Sequence, residues 1–147
     1  RPKLHVIEFA ELVDDLRAKC DPRYWQLVLT RLMYRAADRV AQKPRAQGIV
    51  TGEAIGQVSS QTLMNLAAID RASSLPVFRP LIGFDKEEII TRAKWIGTAA
   101  LSEQVKEYCA IAPGRPVTAA SEARVDAEEV KLDLMREIVL AVKGDEE

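Results

Sequence analysis

Residues 48 to 78 carry a short apolar strand signal (Gly48-Ile49-Val50), a polar loop punctuated by glycines (Thr51-Gly52-Glu53-Ala54-Ile55-Gly56-Gln57-Val58-Ser59-Ser60-Gln61), a helical stretch over roughly Ser60 to Ala72, and a second strand signal at Pro76-Val77-Phe78. Strands joined through a helix lie parallel, because the crossover returns the chain to the same end of the sheet before the next strand begins. Such a unit demands an α/β fold with helices over the sheet faces. It also puts the glycine loop at the C-terminal end of the first strand, where open α/β sheets bind ligands. Gly52 and Gly56 permit conformations or close approaches that a side chain would block, and Ser59 or Ser60 is placed to cap the helix that follows. The loop reads as a candidate nucleotide site, with a capped connection that binds nothing as its alternative.

The rest of the chain is consistent with such a fold. Leu4 to Phe9 is a mostly apolar run and predicts a strand; a short helix is expected in the polar stretch after it. Asp21-Pro22 has the form of a helix start, and Trp25, Val28, Leu29, Leu32, Met33, Ala36, Ala37 and Val40 then recur at helical spacing. Arg31, Arg35 and Arg39 follow one another at intervals of four on that helix, a basic stripe that is either a solvated face or a contact for phosphate. Asp85 and Glu88 form a capping box that starts a helix over Glu87 to Ile96, with Gly97 as its stop. Pro113-Gly114-Arg115-Pro116 interrupts the looser stretch from Ala99 to Ser121, and a last helix is expected over Asp126 to Val142.

A length of 147 residues is one domain's worth, able to bury roughly two thirds of its unfolded surface. There is no uncharged apolar run long enough for a bilayer span, so no membrane partner is expected. With a net charge of -1, no global basic field marks the chain for nucleic acid, and any RNA contact must be local. Two cysteines, Cys20 and Cys109, and the single histidine His5 are too few soft ligands for a structural zinc site; no metal ligands are assigned, and a reducing, cytoplasmic setting is expected.

Lys86 occupies the first helical position after its cap, where the helix dipole disfavours a cation by roughly 0.3–1 kcal/mol. Either the neighbouring Glu87 and Glu88 offset it in solvent, or it serves a phosphate. Cys109 follows Glu107-Tyr108, with Lys106 and Arg115 near enough in sequence to favour a thiolate; the alternative is a small buried apolar residue. Cys20 reads as structural.

The glycine loop, the block Arg79-Pro80-Leu81-Ile82-Gly83-Phe84-Asp85-Lys86-Glu87-Glu88-Ile89-Ile90, and Glu107-Tyr108-Cys109 together resemble the tRNA 4-thiouridine synthetase family, also called tRNA sulfurtransferase or thiamine biosynthesis sulfur-transfer protein. The resemblance covers about residues 4 to 142. It implies a doubly wound parallel sheet of the adenine nucleotide alpha hydrolase-like, PP-loop ATP pyrophosphatase type. Residues 1–147 would be the C-terminal portion of that domain, a partial domain lacking the PP-loop strand, because the family's Ser-Gly-Gly-x-Asp-Ser loop does not occur in this sequence.

The implied activity is that of an ATP-dependent tRNA sulfurtransferase. ATP with magnesium adenylates a tRNA uridine, and persulfide sulfur then replaces the uridine oxygen to give 4-thiouridine; sulfur supply to the thiamine thiazole stays open. By the same resemblance Gly52 and Gln61 match ATP-contacting positions. Thr30 stands where the family usually has a basic ATP contact, which Arg31 beside it can replace. Lys86 matches a lysine that steadies the phosphate of the adenylated intermediate, and Cys109 matches the catalytic cysteine. In members with a C-terminal rhodanese-like domain, that cysteine forms a disulfide with the domain's persulfide-carrying cysteine. The implied partners are tRNA, a cysteine desulfurase as persulfide donor, and a rhodanese-like domain or protein; a homodimer is left open. A non-catalytic nucleotide-binding or interaction module, or a half-enzyme needing a partner chain, is the competing reading, with a different PP-loop ligase as a third.

Overall fold

The computed structural model describes residues 3–43, 45–56, 61–105 and 115–133. Helix α1 (Ala10–Lys19) leads into a single 3-10 turn (Pro22–Tyr24) and the long helix α2 (Trp25–Gln42). Strand β1 (Ile49–Val50), helix α3 (Leu63–Asp70) and strand β2 (Val77–Phe78) follow, then α4 (Lys86–Trp95), α5 (Ala99–Ser102) and α6 (Glu122–Glu129). The strands pair in parallel, Ile49 opposite Val77 and Val50 opposite Phe78. The strand–helix–strand pattern therefore forms the parallel crossover expected of it.

Helix α2 is the centre of the molecule, packed against α1, α3, α6 and β1. The expected stripe supplies Trp25, Val28, Leu29, Leu32 and Ala36 to the core, while Met33 remains half exposed. Leu27, Tyr34 and Arg31, which lie outside that stripe, are buried as well. Neighbours on several sides narrow the solvent face of a helix beyond what one-sided periodicity reveals. Leu12 and Leu16 of α1, Ile69 of α3 and Val125 of α6 complete the core. Burial of a side chain such as Leu32, wholly removed from solvent, stabilises the fold by roughly 1.5–3 kcal/mol.

Local signals set several element ends. Asp21 accepts the backbone N–H of Arg23 at 2.9 Å, with Pro22 at the first position of the turn. At α4, Asp85 accepts from the Glu88 amide (2.8 Å) while the Glu88 carboxylate accepts from the Asp85 amide (2.9 Å), a complete capping box. Beyond the helix Gly97 takes φ +80°, a left-handed stop.

Three expectations are corrected. Leu4 to Phe9 belongs to neither strand; Leu4 and Val6 are exposed, and only Ile7 and Phe9 rest against the core. A strand requires a continuous ladder with a neighbouring strand, which apolar composition does not supply. The cap of α3 is Thr62, whose hydroxyl accepts the Asn65 amide at 3.2 Å; Ser59 and Ser60 lie outside the described residues. Helix α6 begins at Glu122, four residues earlier than expected, and has ended by Val130; Leu134 to Val142 fall outside the described residues.

Candidate functional site

The glycine loop leaves β1 and runs beside the segment that leaves β2. The Thr51 amide donates to Phe78 O (2.9 Å) and the Ile55 amide to Ile82 O (3.1 Å), so the two exits continue the ladder past the strands proper. The loop then closes on itself, with the Gly56 amide donating to Gln61 O at 3.0 Å. Gly56 has φ +77°, a left-handed conformation that costs an L-residue roughly 1–2 kcal/mol. Gly52 has no such backbone requirement, and a Cβ built there would meet open space. Nothing in the described chain demands glycine at position 52.

Gln61 sits where the loop enters α3. Its Oε1 is buried and has no hydrogen-bond partner among the described residues. An orphaned buried acceptor costs about 1–3 kcal/mol, so a site that leaves one open fits a ligand donor. The open backbone at Gly52 and the orphaned oxygen of Gln61 flank one loop at the carboxyl ends of parallel strands. The residues present thus fit a nucleotide.

Other side chains fasten the surroundings. Asn65, fully buried, donates through Nδ2 to Val117 O (2.8 Å) and accepts the Ala120 amide at Oδ1 (3.0 Å). The Thr62 hydroxyl donates to Thr118 O at 2.7 Å. Residues 117–120 are thereby docked on the start of α3, close in sequence to Gln61. Cys109 lies outside the described residues, eight before this anchored segment.

Lys86 occupies the first position of α4 and is exposed, four residues beyond the Ile82 carbonyl that receives the loop. Thr30 spends its hydroxyl within its own helix, donating to Gln26 O at 2.8 Å. Arg31 is not on a solvated face: only 3% exposed, it donates through Nη1 to Ala68 O (3.0 Å) and through Nη2 to Asp126 (2.7 Å) and Glu129 (2.6 Å). Arg35 adds a two-pronged pair to Glu129 at 2.7 and 2.9 Å. Burial would raise the Glu129 carboxyl, but Arg35 and Arg31 together hold it below the usual range. The predicted basic stripe is in its first two members a staple between α2 and α6, buried at Arg31 and partly exposed at Arg35.

Cys20 is a buried thiol that donates to Glu128 O at 3.4 Å, and burial pushes its pKa up to about 11. A cavity of about 760 Å³ opens elsewhere, between the N-terminal segment and α2, lined largely by apolar side chains such as Phe9, Met33, Val40 and Ile49. None of the predicted site residues lines it. The described residues hold no cluster of histidine, cysteine or carboxylate side chains fit for a metal ion, and no helix long and apolar enough to cross a membrane.

Residues that sequence reasoning passed over also meet at the strand ends: Tyr34, Asp70 and Arg79, with Glu53, contact one another there. Arg79 lay within the second of the three resembling blocks, which was the available signal.

A parallel strand–helix–strand unit with an open glycine loop at its strand ends defines an α/β domain whose loop lies where such sheets bind ligands. The chain belongs to the family described as thiamine biosynthesis protein (ThiI), whose profile matches residues 1–134. It is 42% identical over 133 residues to a tRNA sulfurtransferase of Escherichia coli, covering 90% of this chain and 28% of the relative. It is 45% identical over 128 residues to one of Pseudomonas aeruginosa, covering 87% of this chain and 26% of the relative. A solved 4-thiouridine synthetase in complex with RNA and bound ATP superposes with a TM-score of 0.87 at 35% identity, covering 95% of this chain and 37% of that one. The fold is thus the PP-loop type of that synthetase, and the chain spans less than a third of the curated relatives it matches.

Proposed function

We propose that this chain forms the strand-end side of an ATP-dependent tRNA sulfurtransferase site, acting in the cytoplasm to convert a tRNA uridine to 4-thiouridine. The observation that carries the reading is the orphaned, buried Oε1 of Gln61 beside the open backbone of Gly52. The ATP and RNA bound by the structural neighbour support it.

Gln61 accepts a hydrogen bond from the nucleotide, while Gly52 lets its backbone approach without a side chain in the way. Thr30 and Arg31 are the residues this reading assigns to ATP from α2, and Arg31 would exchange a partner among Asp126 and Glu129, which engage its guanidinium in the ligand-free chain. When bound, ATP with magnesium supplies the adenylyl group that makes the uridine oxygen a leaving group. Lys86, exposed at the head of α4, places its ammonium against the phosphate, and Cys109 handles sulfur delivered as a persulfide from a cysteine desulfurase through a rhodanese-like domain or protein. Supply of sulfur for thiamine biosynthesis draws on the same chemistry.

Calorimetric titration with ATP tests the site. The wild-type chain binds, and Gln61→Ala loses about tenfold in affinity with no loss of thermal stability; equal affinity of the two proteins overturns the assignment. Slow alkylation followed by mass spectrometry tests the sulfur role. Cys109 labels well before Cys20, whereas two thiols inert until unfolding would reduce the chain to a binding module.

A further inference from the structure

Arg79 is the first residue past β2, and its side chain is only 10% exposed. Its Nε donates to Glu53 Oε2 at 2.8 Å, its Nη2 donates to the Tyr34 hydroxyl at 2.9 Å and to Asp70, and its Nη1 reaches Asp70 at 3.3 Å. The same Oε2 of Glu53 accepts from the Tyr34 hydroxyl and from Thr51 Oγ1 at 3.0 Å. One guanidinium therefore collects the exit of β1 through Glu53, the middle of α2 through Tyr34, and the last residue of α3 through Asp70.

The direction of these bonds matters. Asp70, half exposed at the end of a helix, would satisfy an arginine as an ordinary surface pair. Arg79 instead divides its fork, giving Nε to the residue that follows Gly52. Glu53 is 13% exposed, so its carboxylate depends on these partners for hydrogen bonds that water would otherwise make. From the geometry we infer that Arg79 is a positioning residue for the nucleotide site: by gripping Glu53 it holds the Thr51–Gly56 loop in the conformation that presents the Gly52 backbone and the Gln61 oxygen together. The inference rests on the nucleotide reading above. A lysine retains the charge but lacks the planar fork, and so cannot serve Glu53 and Tyr34 in the same way.

Two measurements separate this role from general stabilisation. In the ligand-free chain, Arg79→Ala speeds hydrogen exchange at the Thr51 and Ile55 amides at least tenfold, while amides in the middle of α1 and α2 keep wild-type protection. Tyr34→Phe, which removes one donor to Glu53 at nearly constant volume, gives a smaller change at the same amides and covers the case in which Arg79→Ala does not fold. Exchange at 51–56 unchanged in both variants, or a uniform rise throughout the molecule, overturns the inference. In ATP titrations, Arg79→Ala weakens binding about tenfold and Arg79→Lys falls between it and wild type, while Arg35→Ala, which breaks an ion pair of the α2–α6 staple, lowers stability and leaves ATP affinity unchanged. Equal losses in Arg79→Ala and Arg35→Ala overturn it. A wild-type chain that binds no ATP overturns the nucleotide reading itself, and the exchange data still decide whether Arg79 holds the loop.

Discussion

Two arginine–carboxylate clusters among the described residues have similar make-up and different consequence. One joins Arg31 and Arg35 of α2 to Asp126 and Glu129 of α6; the other joins Arg79 and Tyr34 to Glu53 and Asp70. The first lies between helices, with Arg31 and Glu129 each under 5% exposed. Its partners move only if α6 leaves α2. The second lies at the carboxyl ends of the strands and holds a loop. Buried charge alone does not mark a functional site; what the charges hold in place decides.

Removing a partner from the helical cluster has the largest expected effect. Glu129→Ala leaves the buried Arg31 with reduced compensation and costs about 3 kcal/mol, read as a lower denaturation midpoint in urea. A loss below about 1 kcal/mol would show that the staple is merely tolerated. Asn65→Ala breaks two buried hydrogen bonds to residues 117–120 and costs about 2–3 kcal/mol, again by urea unfolding.

Acid sharpens the contrast. The folded carboxyl of Glu129 is held below its ordinary range, so its contribution is complete above the unfolded value of about 4.3 and is lost as pH falls through the depressed folded value. Glu129→Gln therefore flattens the acid limb of the stability profile, measured by thermal melts between pH 2 and 7. An unchanged limb would assign acid sensitivity to other carboxylates.

The loop glycines give smaller and opposite effects. Gly56→Ala costs about 1 kcal/mol, because φ +77° is strained for any side chain. Gly52→Ala leaves stability within about 0.5 kcal/mol, since its Cβ meets no atom, yet it weakens ATP binding in the same titration. Should the two substitutions behave alike, the distinction between a conformational glycine and a ligand-facing one fails.

Much of the architecture was legible because its signals are local. The capping box at Asp85 and Glu88, the Asp21-Pro22 turn and the stop at Gly97 need only a few neighbouring residues, and all three formed. The position of the glycine loop at the strand ends was legible for a related reason: strand, turn residues and helix are contiguous in sequence. The ion pairs of the first two arginines of the basic stripe were not legible, because their carboxylate partners lie some 95 residues away and no spacing rule links them. Asn65 had a faint signal, a lone amide within the apolar run Leu63-Met64-Asn65-Leu66; its partners at 117 and 120 had none.

By itself, then, the sequence determined the parallel crossover, the loop with its glycines, the caps, and the family, since each resides in short contiguous blocks whose backbone preferences hold wherever the segment is placed. Tertiary structure decided that Leu4 to Phe9 joins neither strand, that α2 is enclosed by its neighbours, and which arginines are buried. It also decided that Arg79 faces Glu53 across the strand ends. Those outcomes depend on which distant groups are brought within hydrogen-bonding distance, and burial then makes each pairing obligatory, because an unpaired charge away from water costs more than a local propensity can offset.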